Sequence, residues 1–240
     1  MALALHGVNT FYGASHILFD VAFAVAEGTV TCLLGRNGAG KTTTIRTIMG
    51  LTPPSSGRIT FDGAAISGLR PHAIFRRGIK LVPQGRGIFP RLSVEENLRL
   101  AMLKAEIRDP AHELRRAFDL FPILEERRAQ TGRTLSGGQL QMLAIARALL
   151  GRTRVILMDE PTEGLAPLMV RAVQEALLTI KREGVTIVLA EQNVRMALAV
   201  ADWHHILDNG RVVFSGSSET IGKNEHIKTT YLGVSKGGAS

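Results

Sequence analysis

Gly35-Arg36-Asn37-Gly38-Ala39-Gly40-Lys41-Thr42 decides how the rest of the chain is read. It fills every fixed position of the pattern G-x-x-x-x-G-K-[ST], the P-loop pattern. Its flanks supply the context such a loop needs. Thr29-Val-Thr-Cys-Leu-Leu34 reads as a short apolar strand, and Thr43-Thr-Ile-Arg-Thr-Ile-Met49 continues as a helix. Glycines let the backbone turn tightly and aim successive N–H groups at phosphate oxygens, and the helix N-terminus adds partial positive charge. Residues Gly35 to Thr43 are therefore expected to cradle the phosphates of a nucleoside triphosphate. Lys41 would reach the outer phosphates and Thr42 would offer its hydroxyl to magnesium.

Working outward, the 240 residues suffice for one large domain or two intimate subdomains. Apolar residues make up 45% and charged residues 21%, an ordinary globular balance. No apolar run approaches the ~20 residues that span a bilayer. Met1-Ala-Leu-Ala-Leu-His6 lacks the basic start and apolar stretch of a secretory signal. The single cysteine, Cys32, excludes an internal disulfide framework, suits a reducing cytosol and reads as a buried, inert thiol. Residues 76–133 hold thirteen Lys or Arg against eight Asp or Glu, so +5 of the net +8 lies there. These basic residues are scattered and lack interleaved aromatics. A solvated face is favoured, then contact with a membrane or membrane protein, and nucleic acid is not expected as a partner.

Along the chain, Leu3, Leu5 and Val21–Val25 alternate as strands, with Phe11-Tyr12-Gly13 between them at a turn. Alone, Tyr12 reads as core or turn packing. Arg58–Asp62 and Ile79–Val82 are further short strands. Ser93 with Glu96 forms a capping box, after which residues 94–130 read as helices broken near Pro110 and Pro122. Gly132–Gly138 reads as a loop and Gln139–Leu150 as a helix. Val155–Met158, an unbroken apolar run, marks a strand buried on both faces. Val170–Arg182 is helix, Val185–Leu189 strand and Val194–Ala201 helix. Asn209-Gly210 signals a hairpin, and Ser235–Ser240 are expected to fray. Strand and helix alternate as in right-handed βαβ units around a mainly parallel sheet, an α/β class. The histidines show no metal-ligand spacing, and His204-His205 reads as a strand-edge pair.

Asp159-Glu160 closes the apolar run at the C-terminal end of its strand, where ligands bind in open α/β sheets. Asp159 fits a magnesium anchor, and Glu160 a water-orienting carboxylate or general base. Upstream, Leu135-Ser136-Gly137-Gly138-Gln139 precedes a helix, so its N–H groups and the Ser136 hydroxyl suit a phosphate.

P-loop, Leu-Ser-Gly-Gly-Gln and Asp-Glu strand together resemble the ATP-binding cassette family, and the resemblance runs from Leu3 to about Phe214. It implies an ATPase that uses ATP and magnesium. It also implies a cassette fold: a nucleotide-binding core with an antiparallel β subdomain (residues 1–84 and 151–240) and a helical subdomain (85–150). Tyr12 matches the adenine-stacking aromatic and Gln84 the glutamine that senses magnesium and links to the membrane partner. Ser136, Gly137, Gly138 and Gln139 match the signature that closes over a nucleotide on a partner subunit. The implied partners are a second cassette ATPase, two permeases docking through the helical subdomain and, indirectly, a solute-binding protein. The implied place is the cytoplasmic face of the membrane, peripherally.

Two positions depart from the family's usual pattern. Gln192 stands where a His normally contacts the γ-phosphate, and Ala166 where a loop aspartate is usual. Gln donates a hydrogen bond but cannot titrate near neutrality. Both departures, with Asp159–Pro167, Glu191–Asn193 and Phe89–Asn97, resemble the second ATPase of branched-chain or hydrophobic amino acid importers. A heterodimer with a His-bearing sister is expected from that branch. Urea and amide importers share these motifs and stay open, as do, less favoured, a lipopolysaccharide-export ATPase and a soluble regulatory cassette.

Overall fold

The computed structural model describes residues 1–103, 107 and 109–233; the frayed end expected at Ser235–Ser240 lies outside them. The chain opens with β1 (Leu3–Tyr12), β2 (Ser15–Val25), β3 (Val30–Leu34), α1 (Lys41–Ile48), β4 (Ser56–Phe61), β5 (Ala64–Ala65), α2 (Pro71–Arg76) and β6 (Ile79–Val82). Helices α3 (Val94–Met102), α4 (Pro110–Leu120) and α5 (Pro122–Glu126) follow, then a 3-10 turn at Gly132–Thr134 and α6 (Gly137–Leu149). After them come β7 (Val155–Asp159), α7 (Pro167–Arg182), β8 (Thr186–Glu191), α8 (Val194–Val200), β9 (Trp203–Asp208), β10 (Arg211–Ser217), α9 (Ser218–Lys223) and α10 (Glu225–Leu232).

Two sheets result. One is antiparallel, in the order β2-β1-β4-β5. The other, in the order β10-β9-β3-β8-β7-β6, is parallel from β9 to β6 and ends in the antiparallel β9–β10 hairpin. The larger sheet is buried on both faces, and its side chains sort by the period of two. Val30, Cys32 and Leu34 of β3, Ile156 and Met158 of β7, and Ile187 and Leu189 of β8 face a core shared with α3 to α8. The alternate residues Leu33, Val155, Leu157, Val188 and Ala190 face a second core shared with α1 and the antiparallel sheet. Helix α1 is thus packed between the two sheets through Ile45 and Ile48, which fixes the direction in which its N-terminus points.

Three local expectations change. His204 and His205 are not at a strand edge: β9 lies between β10 and β3, and both rings are buried. Each ring finds a serine, His204 Nε2 with Ser218 Oγ at 2.8 Å and His205 Nδ1 with Ser215 Oγ at 2.7 Å. Burial holds both well below the ordinary imidazole range, at about 4. Helix α6 starts earlier than the run from Gln139, because Ser136 caps it: its Oγ accepts the Gln139 N–H (3.3 Å) and Gln139 Oε1 accepts the Ser136 N–H (2.9 Å). The stretch before it is a 3-10 turn rather than plain loop. The capping box expected at Ser93 and Glu96 is present, and the helix breaks fall at Pro110 and Pro122.

Candidate functional site

The loop between β3 and α1 is a turn of residues 35–40 whose last member, Gly40, has φ 106°. A Cβ there would sit 2.9 Å from Leu18 Cδ2 in a backbone conformation that L side chains rarely adopt, so glycine is required. No side chain caps α1, and its first turn carries no acid. The positive end of the helix is left unneutralised, as an anion site needs.

Lys41, 3% exposed, points back under this loop. Its Nζ donates to the Gly35 and Arg36 carbonyls at 2.9 and 3.2 Å and pairs with Glu160 Oε1 at 3.0 Å. The Thr42 hydroxyl donates to Asp159 Oδ1 at 2.9 Å. Burial pushes the Asp159 carboxyl up, with a further push from the Glu160 charge, while the Thr42 bond and the Lys41 and Arg46 charges oppose it. Glu160 has a left-handed backbone, φ 48°, and its N–H donates to the Ala190 carbonyl at 2.9 Å. A non-glycine residue held this way stores strain, the kind that collects at functional sites. The conformation turns the Glu160 side chain off the end of β7 toward Lys41.

A cleft of about 390 Å³ opens over these groups. Tyr12, Asn37, Gly38, Gly40, Lys41, Thr42, Thr43, Gln84 and Glu160 line it, so the structure brings these together. Asp159 lies beneath, reached through Thr42. Gly35 and Ala39 are buried in the turn, and Arg36 is exposed beside it. Tyr12 stands at the mouth, 43% exposed, which leaves a ring free to stack.

Two groups of sequence-derived residues stay outside the cleft. Ser136, Gly137, Gly138 and Gln139 cap α6 elsewhere, and Gln192 is exposed on the loop after β8. Gly138 is pressed against α7: a Cβ there would meet Met169 Cε at 2.3 Å and Cγ at 2.7 Å.

The structure adds residues that the sequence did not mark. Ile17 and Glu163 line the cleft, and Glu163 Oε2 accepts from Gln84 Nε2 at 2.7 Å, with Glu160 Oε2 at 3.4 Å from the same amide. Glu191, 3% exposed, accepts from Thr162 Oγ1 at 2.6 Å and from the Gln192 and Asn193 N–H groups at 3.1 Å each. Burial pushes its carboxyl up, against hydrogen bonds that favour the anion. In the sequence it entered only within Glu191–Asn193, a stretch that carries the importer resemblance, with no role assigned to it. Among the described residues there is no group of three or more His, Cys, Asp or Glu side chains placed to hold a metal ion. The oxygen donors at the cleft (the Thr42 hydroxyl, the Asp159 carboxylate and the Gln84 amide) suit magnesium, which binds through few protein groups and keeps water and phosphate oxygens.

Comparison with known proteins gives one consistent picture. The family profile described as ABC transporter matches residues 18–163. The chain is 40% identical over 231 residues to the high-affinity branched-chain amino acid transport ATP-binding protein BraG of Pseudomonas aeruginosa, covering 96% of this chain and 99% of that one. It is 35% identical to the probable branched-chain amino acid transport ATP-binding protein LivF of Archaeoglobus fulgidus, covering 95% and 97%. It is 38% identical to the lipopolysaccharide export system ATP-binding protein LptB of Escherichia coli K12, covering 92% and 93%. Among solved structures, an ATP binding subunit of an ABC transporter superposes with a TM-score of 0.83 at 31% identity, over 97% of each chain.

Proposed function

The chain belongs to the ABC transporter family as one of its nucleotide-binding ATPases, and from that premise we propose that it powers the import of branched-chain or other hydrophobic amino acids. The observation that carries the substrate class is the 40% identity to BraG over nearly the full length of both chains. Gln192 and Ala166, which depart from the family's usual residues, point the same way.

In this reading, Lys41 and the backbone of residues 35–43 bind the phosphates and Tyr12 stacks on the base. Thr42, Asp159 and Gln84 would hold magnesium, which when bound neutralises phosphate charge. Glu160 orients and deprotonates the attacking water, and its ion pair with Lys41, the residue assigned to the outer phosphates, supports that role. Gln192 can only donate a hydrogen bond to that phosphate. Ser136, Gly137, Gly138 and Gln139 serve a nucleotide held by a second ATPase subunit.

Residues 85–150 act as a helical subdomain against the core of residues 1–84 and 151–240. A second cleft of about 520 Å³, lined by Phe75, Lys80, Arg86, Phe89 and Arg147, would receive a permease segment. No helix among the described residues is long and apolar enough to cross a membrane, which fits a peripheral subunit on the cytoplasmic face.

Glu160→Gln tests the catalytic assignment. It should keep ATP binding and slow hydrolysis by ~100-fold or more. Near-normal turnover removes Glu160 from the role. The pairing with a His-bearing sister is tested by comparing hydrolysis of the isolated chain with that of the assembled transporter; equal rates argue against it. The 38% identity to LptB favours a second reading, lipopolysaccharide export. Gentle extraction of the tagged chain decides between them: amino acid permeases and a second ATPase support import, and lipopolysaccharide-export membrane subunits support the alternative.

A further inference from the structure

Glu191 ends β8 with its carboxylate almost wholly inside the protein, and its two oxygens are divided between two loops. Oε1 accepts from the Thr162 hydroxyl at 2.6 Å and from the Thr162 N–H at 3.4 Å. Oε2 accepts from the N–H groups of Gln192 and Asn193, each at 3.1 Å. The first loop is the turn after β7, closed by the Glu163 N–H on the Glu160 carbonyl at 3.2 Å, and it carries Glu160 and Glu163. The second carries Gln192.

We propose that Glu191 is a positioning residue for ATP hydrolysis, a staple that holds the Glu160 turn and the Gln192 loop in one fixed relation. The proposal rests on the assignment of Glu160 as the water-orienting carboxylate. Its physical basis is the strained backbone of Glu160, φ 48°. A left-handed residue at a strand end relaxes unless the chain on both sides is held. On one side the β7–β8 pairing and the Ala190 carbonyl hold it, and on the other the clasp on Thr162, two residues on. A carboxylate suits the task because it offers acceptors on both oxygens, to two N–H groups of one loop and to the hydroxyl and N–H of Thr162 on the other. An amide of the same size has one accepting oxygen, so it keeps the two N–H groups of one loop, faces the Thr162 N–H with its own, and holds that loop only by a reversed bond to the Thr162 hydroxyl. A shortening to Asp withdraws the carboxylate by one methylene from both.

Among the described residues the Glu191 carboxylate bonds to Thr162, Gln192 and Asn193 and to none of residues 35–43, so it should act on the chemical step more than on nucleotide affinity. Glu191→Gln should lower kcat roughly 10- to 100-fold, the scale of a misplacement near 1 Å, with KM for ATP changed less than about threefold. Thr162→Val, which removes one clasped donor, should give a smaller loss of the same kind, and Thr162→Ser should restore the rate. The double variant should be no slower than Glu191→Gln alone, because both break one device. Hydrogen exchange on the full chain supplies a readout independent of turnover: the Gln192 and Asn193 amides should lose protection in Glu191→Ala, which removes their acceptor. They should stay protected in Glu160→Gln, which removes the catalytic group and leaves the staple.

An unchanged kcat in Glu191→Gln overturns the proposal. So does full protection of the Gln192 and Asn193 amides in Glu191→Ala, or kcat and KM moving together with the melting temperature, which marks a merely structural residue. If Glu160→Gln hydrolyses ATP normally, it is the assignment of Glu160 that fails.

Discussion

The P-loop and the Ser136–Gln139 turn are both glycine-containing helix N-termini, yet the protein treats them differently. At the P-loop, side chains of the proposed nucleotide site and their neighbours already meet one another: Lys41 with Glu160, Thr42 with Asp159, Gln84 with Glu163. At α6, Ser136 and Gln139 satisfy each other in a capping box, and the side chains at its two glycines are Arg86, Leu165 and Met169. The first is arranged from within, as the proposed reaction site requires. The second is satisfied by itself, and its proposed use is against another molecule, in keeping with a family whose ATPases work in transporter complexes.

That contrast breaks most readily at Lys41. Lys41→Ala should weaken ATP binding by on the order of 100-fold, since charge-assisted bonds to phosphate are worth about 1.5–3 kcal/mol each. Ser136→Arg should leave the affinity of the isolated chain unchanged. Titration with a fluorescent nucleotide checks both, and a loss of affinity in Ser136→Arg would place the signature in the chain's own site. The P-loop half also rests on β9, with its two neutral, buried histidines. Their value of about 4 lies below the ~6.5 of an unfolded chain, so the unfolded state takes up protons first as the pH falls. Stability should be full above pH ~6.5 and drain away toward pH 4, by roughly 3 kcal/mol per ring at most. Urea midpoints at pH 7 and pH 5 measure it, and equal midpoints contradict the burial argument.

Smaller effects separate the halves further. Gly138→Ala should cost about 2 kcal/mol, because the new methyl overlaps Met169 and pushes α6 from α7. Met169→Ala in the same chain should recover part of that loss of melting temperature. Lys80, buried in the second cleft with no acid paired to it among the described residues, is lowered by burial to about 8 and lies over the Phe75 ring. Lys80→Met should therefore stabilise the isolated chain by about 1 kcal/mol. A loss of stability would show that the ammonium–ring contact outweighs its burial.

Most of the P-loop half was legible in the sequence because its residues are fixed by spacing. Gly35 to Thr42 is one continuous stretch, and an apolar run ending in Asp159-Glu160 downstream of it reads as a buried strand delivering two acids to its end. The strands of the parallel sheet, the capping boxes and the Asn209-Gly210 hairpin were legible for the same local reason. What the sequence hid depends on crossings. Glu163 meets Gln84, and Glu191 meets Thr162, only because β6, β7 and β8 lie side by side. His204 and His205 looked like an edge pair because nothing local shows that β9 has a neighbour on each side. The start of α6 was misjudged because Gly137-Gly138 resembles a loop until the Ser136 cap is seen.

The turn of the last hairpin touches the proposed phosphate cradle through Ala39. The Gly210 N–H donates to the Ala39 carbonyl at 3.0 Å, and the Gly210 carbonyl accepts from the Phe19 N–H at 2.9 Å. The Ala39 carbonyl and the Gly40 N–H belong to one peptide group, so an anion on the N–H side polarises the carbonyl and shortens the bond on the far side. In a nitrogen-15 correlation spectrum the Gly210 amide should therefore move downfield as the proposed cradle fills, which makes it an expected gauge of nucleotide loading.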